Sequence, residues 1–297
     1  MSQENNIEQI SSYPSPIDKL LTYREMQTGE VGDWPNYLEL EFGPEHVPDL
    51  IRLATDTALR WREENGPEPW GPLHAWRTLG QLRAQEAIEP LVSLFNDVED
   101  EWAAEELPEV FSMIGPASIP ALTNFLGEKD HDDYARLAAA NSLQKIAETF
   151  PERRDEVVAI LTKELEKFNE NSQTVNSFIL SDLMDLNAVE AAPVIERAFA
   201  ADSIDENITG DLEDVQISLG LREKRDTPPK RYNAFPGAEK MLELIDRQGQ
   251  PSKAPRPMSL PEDVPGFRTP KPKAVDSKAK KARRKMEKAS RKKNRKK

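Results

Sequence analysis

The chain has 297 residues, no cysteine, 40 Lys+Arg and 53 Asp+Glu. Without cysteine, disulfides, Cys-based zinc sites and thiol catalysis are excluded. No apolar run approaches the roughly 18 residues that span a bilayer, and residues 1–8 carry two Glu and no basic group, unlike a secretory signal, so a cytoplasmic protein is expected.

Charge divides the chain. Residues 251–297 carry 18 Lys+Arg against 4 Asp+Glu, a net of +14, and residues 1–250 carry 22 against 49, a net of −27. The body repels nucleic acid at long range while the tail attracts it, and the two attract each other.

Residues 1–12 lack periodicity and read as disordered. Ser15-Pro16 reads as an N-cap with proline at the first helical position, opening a helix through Ile17, Leu20, Leu21 and Arg24. After a loop, Tyr37 to Leu40 continue as a helical turn. A stronger helix starts near Pro44 or Pro48 and sets Leu50, Ile51, Ala54, Ala58 and Trp61 on one face. Residues 13–68 are thus expected to be an N-terminal helical cap, as open arrays require.

Residues 69–201 repeat. Ala87-Ile88-Glu89-Pro90-Leu91-Val92, Ser118-Ile119-Pro120-Ala121-Leu122 and Ala191-Ala192-Pro193-Val194-Ile195 each place a proline just inside a helix that follows a turn. The 30- and 73-residue steps between these prolines suit stacked helical hairpins of about 36 residues. Proline costs little in the first turn, where its missing N–H has no partner to lose. Hairpin one pairs Leu73, Trp76 and Leu79 with Ile88, Leu91, Val92 and Phe95. Hairpin two pairs Leu107, Val110, Phe111 and Ile114 with Ile119, Leu122 and Leu126. Hairpin three pairs Leu137, Ala140, Leu143 and Ile146 with Val158, Leu161 and Leu165. Hairpin four pairs Ile179, Leu180, Leu183 and Leu186 with Val194, Ile195, Ala198 and Phe199. These stripes have the helical 3.6 period, and no strand-type alternation is present.

Residues 202–250 read as a C-terminal helical cap, with a short helix from Gly210 to Gly220 and a last one from Gly237 to Gln248. Residues 251–297 read as a disordered Pro/Lys-rich linker and basic tail. The fold class is therefore all-α, a solenoid of about four helical hairpins with helical caps.

The phrases Leu79-Gly80…Ala87-Ile88-Glu89-Pro90-Leu91 and Ile114-Gly115…Ser118-Ile119-Pro120-Ala121-Leu122 resemble HEAT-like repeats of the phycobilisome-lyase type, over about residues 70–200. With Tyr13-Pro14-Ser15-Pro16, Trp34-Pro35-Asn36-Tyr37-Leu38 and Asp214-Val215-Gln216, the arrangement also resembles a family of uncharacterised bacterial HEAT-repeat proteins. Some of its members end in a Cys-rich zinc knuckle of the SEC-C type. This chain departs from them, ending in Lys and Arg without cysteine. The resemblance implies a fold and a bacterial cytosolic setting, and no activity.

No phosphate loop, GxSxG elbow or HExxH sequence occurs. His46, His74 and His131 are isolated, and His74, near an apolar face, reads as a structural histidine. No cofactor, metal or catalytic residue is expected. Acidic clusters recur where one hairpin hands over to the next: Asp97, Glu99, Asp100 and Glu101; Asp130, Asp132 and Asp133, beside Glu128; then Asp202, Asp205 and Glu206. They read as an acidic rim for a basic partner or, alternatively, as a solvated edge whose Asp residues cap helices. The polyanion-binding tail is Lys278, Lys280, Lys281, Arg283, Arg284, Lys285, Lys288, Arg291, Lys292, Lys293, Arg295, Lys296 and Lys297. Lacking aromatics, it would bind phosphates, lose affinity with salt and read little sequence. Trp34, Trp61, Trp70, Trp76 and Trp102 read mostly as packing residues. The expected function is a non-enzymatic protein-binding scaffold whose tail adds attraction to RNA, ribosomes or another polyanion. A lyase or chromophore-handling enzyme on the same repeats is the alternative.

Overall fold

The computed structural model describes residues 13–23, 34–61, 66–97 and 100–229. The tail, Glu99 and the expected helix over 237–248 lie outside them. Among the described residues every regular element is helical.

The elements are α1 (Ile17–Leu20), α2 (Val47–Ala54), α3 (Thr57–Arg60), α4 (Gly71–Gln81), α5 (Ile88–Ser93), α6 (Glu101–Ile114), α7 (Ile119–Gly127), α8 (Asp133–Thr149), α9 (Arg154–Leu165), α10 (Gln173–Asp185), α11 (Ala192–Ala200), α12 (Glu206–Thr209) and α13 (Leu212–Ser218). The pairs α4/α5, α6/α7, α8/α9 and α10/α11 are the four expected hairpins. First helices stack in the order α4, α6, α8, α10, α12, and second helices in the order α5, α7, α9, α11, α13. The two layers extend one step beyond the four hairpins, because α12 and α13 act as a shortened fifth pair.

Each of the four second helices is entered through one 3-10 turn: Gln85–Ala87, Pro116–Ser118, Pro151–Arg153 and Val189–Ala191. The turns of hairpins one and four close identically. Ala84 N–H donates to Leu79 O at 3.1 Å and Ala188 N–H to Leu183 O at 2.9 Å, with Arg83 and Asn187 in the left-handed region. This is the six-to-one bond of a Schellman closure. In hairpin two the left-handed residue is Gly115, φ 97°.

The layers differ in burial. Residues 71–80 of α4 are buried on every side, and α8 and α10 bury continuous runs, 135–140 and 175–180. The second helices bury one stripe each, such as Ile119, Leu122, Phe125 and Leu126 of α7. A helix buried all round needs cover on its free faces. Residues 13–61 supply it for α4: α1, α2, α3 and the 3-10 turn Tyr37–Leu40 all pack on it. Gln81 fixes that cover from both sides, accepting from Tyr37 N–H at 2.9 Å and donating to Pro35 O at 2.8 Å.

Two N-terminal expectations need correction. Pro16, not Ser15, occupies the N-cap of α1, without a side-chain cap bond, and the Ser15–Pro16 peptide is cis. The single helix expected through Trp61 breaks after Ala54. There Thr55 Oγ1 donates to Ile51 O at 2.9 Å and Asp56 accepts from Leu59 N–H to cap α3. Such side-chain bonds compete with helix continuation. Leu53 and Leu59 are buried instead, whereas Ala58 and Trp61 face solvent.

Pro108 lies inside α6. Its missing N–H leaves the Ala104 carbonyl without its ordinary helical donor.

Candidate functional site

The handover loops lie side by side along one edge. Asp133 accepts from Ser172 Oγ at 2.6 Å, and Lys129 pairs with Glu170. Gln173 Nε2 donates to Asp202 O at 2.6 Å, and Asp205 N–H donates to Ser177 Oγ at 2.7 Å. Much of the acidity there serves the helices. Asp100, Asp132 and Asp205 are the N-caps of α6, α8 and α12, and Ser172 holds the same place on α10. An acidic group is favourable at a helix N-terminus, where free N–H groups and the helix dipole present positive charge.

Asp100 is turned inward. It is buried, caps α6 by accepting from the N–H groups of Trp102 and Ala103, and accepts from Arg60 Nε and Nη2. It is therefore not available to an outside partner. Asp97 accepts from Trp61 Nε1 at 3.0 Å. Glu101 opens α6 and Glu206 opens α12. Asp130, Asp132 and Asp202 are exposed.

The buried charges are paired between elements. Arg77 Nε and Nη2 donate to Glu106 at 2.9 Å each, joining α4 to α6. Arg136 of α8 donates to Leu126 O at 2.9 Å, Glu164 at 2.8 Å and Asn171 at 3.0 Å. Lys145 Nζ reaches Glu109 at 2.6 Å, joining α8 to α6. Their acidic partners lie 28 to 36 residues away in sequence, so no local pattern pairs them. The signal that could have found them is an Arg inside an apolar stripe, as at Arg77 between Trp76 and Leu79.

Around Arg77 the first helix carries a polar and aromatic cluster. His74 Nδ1 and the Tyr37 hydroxyl are hydrogen-bonded at 2.7 Å, Tyr23 packs on both rings, and the Arg77 guanidinium lies 4.7 Å over Trp34. Burial pushes the Tyr37 hydroxyl up to about 12, against a smaller lowering by Arg77. His74 is thus a fully buried packing residue. Trp34 and Trp76 are also buried, Trp70 and Trp102 pack edge to face at 5.2 Å, and Trp61 is exposed.

The accessible layer is that of the second helices. Between α9 and the turn that opens α11 it forms a groove of about 480 Å3 lined by Asp155, Val158, Ala159, Thr162, Lys163, Glu166 and Glu190. Arg154 closes one end: it donates to Glu190 at 2.7 and 3.3 Å, and to Leu186 O and Asn187 O at 3.0 and 2.9 Å. Those bonds hold the Glu190 carboxyl below the usual carboxylate range. Asp155 and Glu166 stay open to solvent, their side chains 94% and 54% exposed. The Thr162 hydroxyl is buried without a hydrogen-bond partner.

Past α13 the chain is strapped down. Arg225 pairs with Asp211 and Asp214, and Glu213 accepts from Thr227 N–H and Oγ1 at 3.1 and 2.8 Å.

Among the described residues no group of three or more His, Asp or Glu is placed to hold a metal, and no single helix is long and apolar enough to cross a membrane. No curated protein and no solved structure matches the chain. A family model described as a protein of unknown function, DUF1186, matches residues 67–230, more than half of the chain. The matched stretch runs from just before α4 to the end of the strap behind α13, spanning both helical layers, and the chain belongs to the DUF1186 family.

Proposed function

We propose that this chain is a non-enzymatic binding scaffold of the cytoplasm, built on HEAT-like hairpins, that holds a protein on its second-layer face. Its Lys/Arg tail adds salt-dependent attraction to RNA, ribosomes or another polyanion. The observation that carries the reading is the difference between the layers. First helices are buried almost all round, while second helices present exposed faces side by side, with a groove between α9 and the turn that opens α11. The buried charges of the stack support the same reading, since they join helices. The bacterial setting implied by the sequence resemblance belongs to this proposal.

The test is affinity capture from lysate with the full chain and with the A159R/K163E variant, each with and without nuclease. Partners kept after nuclease and lost in the variant support the scaffold. Partners equally kept by the variant count against the second-layer face. For the tail, log affinity for poly(U) should fall with log salt, at about −0.7 per phosphate neutralised. Affinity unchanged by salt would remove the polyanion role.

A further inference from the structure

We propose that the groove between α9 and the turn that opens α11 is the docking site of the chain's own Lys/Arg segment, residues 278–297. The inference rests on the reading of the second-layer face as the binding surface, and it names an internal occupant that competes there with outside partners.

Three observations converge. The first is charge. The groove lining holds three carboxylates and one ammonium, and the segment holds 13 Lys+Arg against one acid, Glu287. Glu190 is taken by Arg154, but Asp155 and Glu166 project into solvent. Asp155 pairs with Arg154 Nη1 at 2.9 Å and Glu166 with Arg197 at 3.7 Å, and both carboxylates stay exposed enough for a second cation to reach them. The handover edge is also acidic and keeps Asp130 and Asp202 exposed, while Asp100, Asp132 and Asp205 cap helices, Asp133 accepts from Ser172 and Glu170 pairs with Lys129.

The second observation is shape. Val158 and Ala159 give the groove an apolar floor, against which the methylene stems of Lys and Arg can lie while their charged ends reach carboxylates. The unpartnered Thr162 hydroxyl in that lining can bond a peptide group of the occupant.

The third is position. The last described helix, α13, packs on α11, the helix opened by the turn that carries Glu190, and Arg225 fixes the strap behind it. The chain leaves the described structure at Pro229, two residues past Thr227, which Glu213 of α13 holds. The 49 residues from there to Lys278 are long enough to reach the groove, at roughly 3.3–3.6 Å per residue at full extension, and covalent linkage favours this segment over a free basic peptide.

The experiment is carbodiimide cross-linking of the full chain at low salt, read by mass spectrometry, using an equal mixture of isotope-labelled and unlabelled protein. The expected result is links from lysines of 278–297 to Asp155 and Glu166, within one copy, that disappear at about 1 M salt, where screening acts within about 3 Å. Links mainly to Asp130, Asp132 or Asp202, links between copies, or no links to the groove would each overturn the proposal. A second measurement uses the full-length D155N/E166Q variant, whose substitutions fall on exposed side chains. Releasing the segment should tighten poly(U) binding by about threefold to tenfold, the scale of two exposed ion pairs. Unchanged poly(U) affinity overturns the docking. Loss of captured protein partners in A159R/K163E, with no tail links in the native chain, would overturn this inference and leave the scaffold reading standing.

Discussion

Arg77 and Glu106 meet in a two-pronged ion pair, both nitrogen–oxygen distances 2.9 Å, with neither side chain open to water. Arg77 lies on α4 and Glu106 on α6, so the pair fixes how the first two hairpins stack. In such a place the loss of one partner matters more than the presence of both, because the survivor is a buried charge without compensation. E106L and R77M should each cost about 3–5 kcal/mol in urea unfolding, and the double variant R77M/E106L should cost less than the two singles together. Additive losses would mean that the pair is not coupled.

Arg136 and Arg154 offer a contrast within one fold. Both bridge hairpins, but Arg136 is buried and Arg154 is about 29% exposed at its side chain. Arg136→Met should destabilise by about 3 kcal/mol, leaving Glu164 buried beside only Lys167. Arg154→Met should cost about 1 kcal/mol or less, since water screens Glu190. Equal melting shifts for the two variants would contradict this ordering.

Capping explains part of the acidic edge, and it can be separated from a binding role. Asp132 accepts from Tyr134 N–H at 2.8 Å as the N-cap of α8. D132A should lower stability by about 1 kcal/mol. D130A, on the same loop and exposed, should stay within about 0.5 kcal/mol. Thermal melts of the two variants decide it.

Alkaline unfolding should involve Tyr37. Burial raises its folded value from 10 to about 12. The folded state therefore keeps the hydroxyl proton after the unfolded chain has lost it. The stabilisation is complete below pH 10 and is lost as pH rises from 10 to 12, amounting to about 3 kcal/mol. Tyr13 shifts in the same direction, through burial and its bond to Asp56. Y37F should flatten stability between pH 10 and 12, followed by tryptophan fluorescence. An unchanged alkaline limb would count against it.

Gly115 connects α6 to α7 at φ 97°, and a Cβ there would lie 3.1 Å from the Phe150 ring. G115A should cost about 1–3 kcal/mol, from a backbone conformation that L-residues avoid and from displacement of Phe150. A neutral result in denaturant titration would show that the turn relaxes.

The sequence by itself determined the hairpins, because their signals are local. Apolar residues at helical spacing and prolines in first turns act within a few residues, and the stripes of all four hairpins are buried as their spacing predicts, Phe199 only partly. It did not show the fifth pair α12/α13 as a continuation of both layers, since helices of four and seven residues carry too little pattern. Nor did it show the break at Thr55 and Asp56, where side-chain bonds to the backbone compete with helix continuation. Only the tertiary structure decided which layer is buried, which charges meet and where a groove opens. Nothing local pairs Arg77, Arg136 or Asp100 with the residues that stacking brings to them, Glu106, Glu164 and Arg60, across 28 to 40 residues. The strength of a charge pair depends on the water excluded around it, and that exclusion exists only once the hairpins have packed.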